Sequence, residues 1–363
     1  MDGRGPGRQV ETSPILLVPY MWIGDFVRCH TVAKLLKQRF PFRPIDVLTT
    51  AMVSPLIDYM PGIRKGIVVD LPRKRLAPGQ HFALASRLRR EGYAQALVMP
   101  RTWKSALALY LAGIPRRTGF IGEGRLGLIN DLRFGERKLP RMVDRCAILA
   151  LPKGEPPPAE WPLPELVVSP TELEAWRQRL DLRSDGRPEI ALAPGAVGPS
   201  KRWPATAYAE LAQRLTAEGY RVWIIGGPHE RPLAAEIGGS PQGAIRDLTG
   251  PDLRNAILAL AATAVAVSND SGLLHVAAAL GTPAIGIFGP TSPFHWAPLN
   301  PLSAVIESAE ALSCRPCHRP VCRVRHHLCM RGIAVEQVLE AVRAAVRTAG
   351  ASRAAALSAP GAG

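Results

Sequence analysis

Residues 264–293 read AVAVSNDSGLLHVAAALGTPAIGIFGPTSP, and this stretch decides how the rest of the chain is interpreted. The β-branched run at 264–267 predicts a short strand, and the apolar run at 273–280 predicts a helix. Gly281 ends the helix in the usual way. Residues 284–288 predict a second buried strand. Two strands joined by a helix form a βαβ unit, which is the building block of parallel sheets.

Small and polar residues follow both predicted strands of this unit. Asn269, Asp270, Ser271 and Gly272 separate the first strand from the helix, and residues 289–292 follow the second strand. Because ligands bind at the carboxyl ends of parallel strands, we expect both groups at the mouth of one pocket. Free backbone N–H groups and the helix dipole favour a phosphate there. The alternative is that these residues only cap a helix.

Length, charge and hydropathy limit the function classes. The chain has 363 residues and a formal net charge of +15, which favours an anionic partner: nucleic acid, an acidic membrane surface or a phosphorylated substrate. No uncharged apolar run is long enough to span a bilayer. The first 13 residues lack the order of a secretory signal, so we expect a cytoplasmic protein.

Strand and helix patterns alternate in two halves separated by a Pro-rich segment. This order predicts an α/β fold with two Rossmann-like domains, at residues 14–150 and 170–348. Residues 151–169 contain too many prolines for a helix or a central strand and are interpreted as a linker. Residues 349–363 have low complexity and are predicted to be a disordered tail.

Two further turns of the second half, and one helical position, add candidates for the same ligand. Gly195, Ser200 and Lys201 follow a predicted strand, where glycine permits close backbone approach and lysine suits a diphosphate. Glu230 follows the next strand and suits a ribose. His275 lies one helical turn after Ser271. The alternatives are a surface loop, an ordinary helix N-terminal carboxylate and a core histidine, respectively.

In the first half, Asp25 follows the first strand at the predicted start of a helix, where it is either catalytic or an N-cap. Three cations on later loops, Arg101, Lys104 and Arg125, are candidates for holding an anionic second substrate. They are equally compatible with solvated surface charges.

Four cysteines cluster near the C-terminus with spacings of two, four and six residues: Cys314, Cys317, Cys322 and Cys329. In a cytosolic protein this pattern favours a structural zinc site, with two disulfides or free thiols as alternatives. The remaining cysteines, Cys29 and Cys146, are interpreted as isolated core thiols.

Several motifs together resemble glycosyltransferase family 9, the lipopolysaccharide heptosyltransferases. The resemblance spans roughly residues 15–348, and its most specific part is the Asn-Asp-Ser-Gly-x-x-His block at 269–275. Supporting segments are Trp22 to Asp25, Lys104 to Leu107, Ala112 to Gly119, Arg125 to Asp131, Pro194 to Pro204 and Phe288 to Pro293. The resemblance implies a GT-B fold, in which an N-terminal acceptor-binding domain and a C-terminal nucleotide-sugar-binding domain face each other across a cleft. It also implies inverting transfer from an ADP-sugar with no cofactor required for catalysis.

The resemblance further implies residue roles. Asp25 matches the general base, Lys201 the group that neutralises the leaving diphosphate, and Glu230 the ribose ligand. The other donor-binding candidates are Gly195, Ser200, Asn269, Asp270, Ser271, Gly272 and His275.

The implied partners are ADP-heptose and an acceptor that is Kdo-lipid A or a heptosylated inner core. The implied location is the cytoplasm, peripheral to the anionic inner membrane. Two alternatives stay open: another core-sugar transferase of the family, or a non-catalytic nucleotide-binding or nucleic-acid-binding protein. The scarcity of aromatics among the cations argues against nucleic acid.

Overall fold

The computed structural model describes residues 12–72, 77–182, 185–240, 242–250 and 252–358, with side chains up to residue 349. The chain forms two compact units, Met1–Glu165 and Leu166–Gly363. The boundary between them falls inside the Pro-rich segment 151–169.

Each unit is built on a parallel sheet. The strands described in the first unit are β1 (Ile15–Val18), β2 (Ile45–Thr49), β3 (Lys65–Val68), β4 (Gln95–Val98), β5 (Arg116–Phe120) and β6 (Asp131–Arg133). They are ordered β3-β2-β1-β4-β5-β6. The α-helices described there are α1 (Ile23–Arg28), α2 (His30–Arg39), α3 (Pro78–Glu91), α4 (Lys104–Leu111) and α5 (Met142–Ala147). Shorter 3-10 turns lie at Ser54–Tyr59, Glu136–Lys138 and Ile148–Ala150.

The second unit repeats this plan. Its described strands are β7 (Glu189–Ala193), β8 (Arg221–Ile224), β9 (Ile245–Asp247), β10 (Val265–Asn269), β11 (Ala284–Phe288) and β12 (Ala304–Glu307), ordered β12-β11-β10-β7-β8-β9. Its described α-helices are α6 (Pro170–Arg179), α7 (Ala205–Ala217), α8 (Arg231–Ile237), α9 (Leu253–Ala262), α10 (Gly272–Ala279), α11 (Pro293–Trp296), α12 (Leu328–Arg331) and α13 (Val335–Ser358). Two 3-10 turns lie at Pro199–Lys201 and Pro228–Glu230.

In both units the order of strands reverses beside the first strand of the unit. β1 lies between β2 and β4, and β7 lies between β8 and β10, all in parallel register. Such a reversal opens a crevice at the carboxyl ends of the two central strands, where ligands bind in doubly wound folds. The sequence-predicted α/β architecture is therefore confirmed in each unit.

Three strands were not anticipated by the sequence pattern: β6, β9 and β12. β6 and β9 are only three residues long, carry charged residues and lie at the edges of their sheets. Short charged edge strands lack the apolar run that identifies a buried strand.

The last helix differs from the expected one. We predicted that it ends at Thr348, but α13 continues to Ser358. Alanines dominate this extension, and alanine has the highest intrinsic helix propensity. Residues 359–363 lie outside the described residues. No helix in the described ranges combines the length and the apolarity needed to cross a bilayer.

Candidate functional site

Asn269 ties together the two turns at the strand reversal of the second unit. Its side chain is fully buried, its amide Nδ2 donates to the Pro194 carbonyl at 2.7 Å, and its Oδ1 accepts from the Trp203 backbone N–H at 3.0 Å. Asn269 therefore joins these two segments, and its contact with a ligand stays a prediction. A buried amide must satisfy its own donors and acceptor, and here two strand-end segments satisfy them.

Lys201, Asp270 and Thr291 form a connected group at the ends of three strands. Lys201 Nζ lies 2.6 Å from Asp270 Oδ2, and Thr291 Oγ1 donates to the same oxygen at 2.8 Å. Asp270 and Thr291 are buried, while the Lys201 side chain keeps 29% of its surface exposed. Asp270 therefore holds a reachable ammonium group in a fixed position. Thr291 was not singled out from the sequence because threonine is common in turns.

Glu230 occupies space that two glycines leave open. Its Oε2 accepts a hydrogen bond from the Gly227 backbone N–H at 2.9 Å. A Cβ added at Gly195 would lie 2.8 Å from Glu230 Cγ, and one added at Gly226 would lie 2.9 Å from Glu230 Cβ. Both distances are well below van der Waals contact. Gly195 and Gly226, which follow β7 and β8, thus allow the Glu230 carboxylate to lie across these strand ends.

The side chain of the N-cap residue of α10, Ser271, does not cap this helix within the part of the chain described here. Its Oγ lies 3.0 Å from Ser268 Oγ instead. The first N–H groups of a helix have no partner within the helix. The capping alternative is therefore not what the structure shows, and these N–H groups suit an anion.

Two donor-contact candidates are buried. Ser200 is 3% exposed, and its Oγ donates to the Arg319 carbonyl, so it holds a neighbouring loop. His275 is 5% exposed on a helix whose residues 274–279 are all buried. The contact of these two residues with the donor stays a prediction.

Asp25 lies at the strand reversal of the first unit, in the first turn of α1. The N-cap of α1 is Trp22, so the N-cap alternative for Asp25 does not hold. Asp25 Oδ1 accepts from Arg28 Nη1 at 2.9 Å, and 16% of its side chain is exposed. Burial raises the pKa of the nearby Tyr20 phenol well above its ordinary value, and the charge of Asp25 adds to this. Tyr20 therefore remains protonated beside the carboxylate.

The three predicted acceptor cations have different environments. Arg101 is exposed and pairs with Glu136 at 3.0 Å, and Lys104 begins α4 with its Nζ 6.0 Å from the Trp103 ring centroid. Arg125 is fully buried and donates to the carbonyls of Phe120 and Pro100, at 2.9 Å and 2.5 Å. Arg125 is therefore not a solvated surface charge, and it ties together the ends of β4 and β5; its contact with an acceptor stays a prediction.

The cysteines form two groups. Cys29 and Cys146 are buried with their Sγ atoms 3.9 Å apart, which corrects their interpretation as isolated thiols. The four C-terminal cysteines line one cavity of about 340 Å³ and are free thiols. Among the residues that the structure describes, no three Cys, His, Asp or Glu side chains are already arranged around one point as metal ligands.

Comparison with known proteins places this geometry in context. The family model of glycosyltransferase family 9 (heptosyltransferase) matches residues 81–327. Lipopolysaccharide heptosyltransferase 2 of Escherichia coli strain K12 is 39% identical over 306 residues, covering 80% of this chain and 87% of that protein. Lipooligosaccharide heptosyltransferase 2 of Haemophilus influenzae is 36% identical over 309 residues, covering 82% and 89%.

Among solved structures, E. coli ADP-heptose LPS heptosyltransferase II matches with a TM-score of 0.80 at 35% identity, covering 92% of this chain and 99% of that one. These similarities confirm the sequence-based resemblance to the heptosyltransferases and the predicted GT-B fold.

Proposed function

The chain belongs to glycosyltransferase family 9, and from this premise we propose that it transfers a heptose from ADP-heptose to the inner core of lipopolysaccharide, with inversion at the anomeric carbon. Within the family, we assign it to the heptosyltransferase II type. The observation that carries the proposal is the Lys201–Asp270–Thr291 group beside the uncapped start of α10. It supports the proposal because the Lys201 ammonium group would face the diphosphate as it leaves.

The second unit would hold the donor. Lys201 would pair with the diphosphate, and the N–H groups from Ser271 and Gly272 onward would donate to its oxygens. Charge grows on these oxygens as the glycosidic bond breaks, so donors fixed in place stabilise the transition state more than the bound substrate. Glu230 would accept hydrogen bonds from the ribose hydroxyls. No metal or organic cofactor is needed in this scheme, because lysine and the helix supply the charge.

The first unit would supply the base and hold the acceptor. Asp25 would take the proton from the acceptor hydroxyl as its oxygen attacks the anomeric carbon, opposite the departing ADP. General-base assistance of this kind contributes about 10² to 10⁴ in rate. Arg28, 2.9 Å from Asp25, would orient the carboxylate. Arg101 and Lys104 would hold phosphates of the acceptor, a Kdo-lipid A or heptosylated inner core.

A peripheral position on the cytoplasmic face of the inner membrane would bring the enzyme to this acceptor. The net charge of +15 suits an anionic lipid surface. Leu126 and Phe134 are exposed on the first unit, close in sequence to the exposed cations Arg137 and Lys138. Apolar side chains beside cations are the combination that binds a lipid interface.

The base is tested by ADP release from ADP-heptose and a truncated core acceptor. We expect Asp25→Asn to lower kcat by about 10² or more while ADP binding is retained, since only the base is lost. Asp185→Asn serves as the control, because Asp185 is an exposed carboxylate that also pairs with an arginine. It precedes the amino end of β7, whereas Asp25 follows the carboxyl end of β1. Unchanged turnover in Asp25→Asn at an unchanged melting temperature would remove Asp25 from the mechanism.

The donor and acceptor are tested separately. ADP-heptose should raise the melting temperature of the protein and a single-stranded oligonucleotide should not, because only a ligand of the native site stabilises it. Mass spectrometry of products from a panel of core oligosaccharides then distinguishes a heptosyltransferase II from other core-sugar transferases of the family. Stabilisation by the oligonucleotide alone would overturn the proposal.

A further inference from the structure

The four C-terminal cysteines belong to a loop, residues 312–331, that we call the cysteine loop. We infer that their thiolates bind one tetrahedral zinc ion, and that this ion fixes the cysteine loop against the turns that carry Lys201 and Thr291. The metal site rests on the loop itself. Its effect on nucleotide binding rests on the proposed function.

The first observation is convergence on one cavity. Cys314, Cys317, Cys322 and Cys329 all line the same space of about 340 Å³, although 14 residues separate the first from the last. None of them is paired in a disulfide. Structural zinc sites are tetrahedral, and four cysteine sulfurs are one of their usual ligand sets. Since no three ligands among the described residues already surround one point, binding must draw the thiols inward across this cavity.

Cations line the cavity beside the cysteines: Arg315, Arg319 and Arg323. Four thiolates and one Zn²⁺ carry a net charge of −2, which nearby guanidinium groups stabilise.

The backbone of the cysteine loop is held in unfavourable conformations. His318, Arg325 and His327 have φ values of 51°, 58° and 56°, in the left-handed region that non-glycine residues seldom adopt. All three lie between Cys317 and Cys329. Residues held in this region cost free energy and persist where the surroundings determine them. A metal ion gathering the cysteines on both sides would supply that constraint.

The cysteine loop contacts two turns of the proposed donor site. Pro320 O accepts from the Ser200 backbone N–H at 3.2 Å, and His327 Nε2 donates to the Ser200 carbonyl at 2.7 Å, next to Lys201. The backbone N–H groups of Cys317 and His318 donate to the Pro290 carbonyl at 3.0 Å and 2.9 Å, next to Thr291. A metal that rigidifies the loop would therefore hold Lys201 and Thr291 around Asp270.

The test is the zinc content of the full chain, purified under reducing conditions without chelator and measured by plasma mass spectrometry. We expect about one zinc per chain in the wild type, and loss of nearly all of it in Cys317→Ser and in Cys322→Ser. Cys146→Ser is the matched control and should keep its zinc, because Cys146 lies in the other thiol group. A chelator should lower the melting temperature of the wild type and leave that of Cys317→Ser unchanged.

Two outcomes would overturn the inference: a zinc-free wild type with four titratable thiols in the cysteine loop, or a wild type with two disulfides detected by non-reducing mass spectrometry. Zinc content is measured without donor or acceptor, so it is independent of turnover. A zinc-containing chain that fails to release ADP would count against the proposed function alone. An active, zinc-free chain would count against the metal site alone.

Discussion

Gly195 and Glu230 depend on each other at the donor site. A methyl group at Gly195 would meet Glu230 Cγ at 2.8 Å, so one of the two must move. We expect Gly195→Ala to displace the carboxylate and raise KM for the nucleotide sugar about tenfold, with a smaller change in kcat, since a misplaced binding group acts mainly on substrate positioning. Steady-state kinetics with varied ADP-heptose measure this.

The control for that substitution is Gly79→Ala in the first turn of α3. A Cβ at Gly79 would meet nothing within 4 Å, so this variant should keep wild-type kinetics. Equal KM values for Gly195→Ala and the wild type would mean that Glu230 does not touch the donor.

For single residues, the sequence predicts where a side chain lies in the fold better than it predicts which residues that side chain contacts. Lys201 and Asp270 follow buried strands, and such positions meet at one sheet edge in any doubly wound fold. Asn269 and Ser200 were placed in the same site for the same reason, but their side chains bind Pro194 and Arg319, which lie 75 and 119 residues away in the chain. No local pattern encodes such distant partners, so burial of these side chains became visible only in the structure.

Helices α9 and α10 begin in contrasting ways. At α9 the N-cap Asp252 accepts a hydrogen bond from the Asn255 backbone N–H at 2.9 Å, whereas the described structure shows no such bond from Ser271 at α10. Asp252→Ala should therefore cost about 1 kcal/mol of stability. Ser271→Ala should cost less than about 0.5 kcal/mol, as for surface positions without a cap.

The same two substitutions distinguish an effect on stability from an effect on ADP binding. We propose that the Ser271 hydroxyl, which does not cap the helix, donates to the diphosphate beside the backbone N–H groups. Ser271→Ala should therefore weaken ADP binding about tenfold, since that hydrogen bond to a charged group is lost, and Asp252→Ala should leave it unchanged. Denaturant unfolding and calorimetric titration with ADP measure the two effects. If Ser271→Ala proved the more destabilising and bound ADP normally, α10 would be an ordinary capped helix with no ligand at its start.

Helices and strands could be predicted from the sequence where they are largely apolar. β10, α10 and β11 match the opening stretch of sequence because each is buried along its whole length or on most faces. The edge strands β6 and β9 have charged residues and few apolar ones, and their place is fixed by pairing with β5 and β8. Tertiary pairing of this kind overrides weak local propensity.

At the scale of the whole molecule, we expect acidic pH to lower the free energy of unfolding of the first unit, through protonation of His30 in the unfolded chain. This residue is 2% exposed, its Nδ1 accepts from the Glu165 backbone N–H at 3.0 Å, and its Nε2 donates to the Pro61 carbonyl at 2.8 Å. The ring is therefore neutral. Burial lowers its pKa below the ordinary 6.5, with a smaller effect from Lys34, while the Pro61 carbonyl and Glu165 act in the opposite direction.

The unfolded chain consequently binds a proton at His30 more readily than the folded one, so stability is fully present above about pH 6.5 and falls as pH drops from there toward the lower folded pKa. We expect the melting temperature to decrease between about pH 7.5 and 5.5, and His30→Gln to show a smaller decrease. Part of the decrease should remain in His30→Gln because of His81, a second buried histidine with a pKa lowered mainly by burial. The exposed His229→Gln is the control, and an unchanged slope in His30→Gln would contradict the assignment.

The edge strands β6 and β9 also affect whether copies of this molecule can associate by strand pairing. A β-strand from a second copy that approached β6 would have to remove water from the ion pair of Asp131 and Arg116, whose side chain is 53% exposed. At β9 the outer edge is already occupied, because Ser240 exchanges backbone hydrogen bonds with Ile245 and Asp247. These two borders are therefore protected against strand addition by another copy.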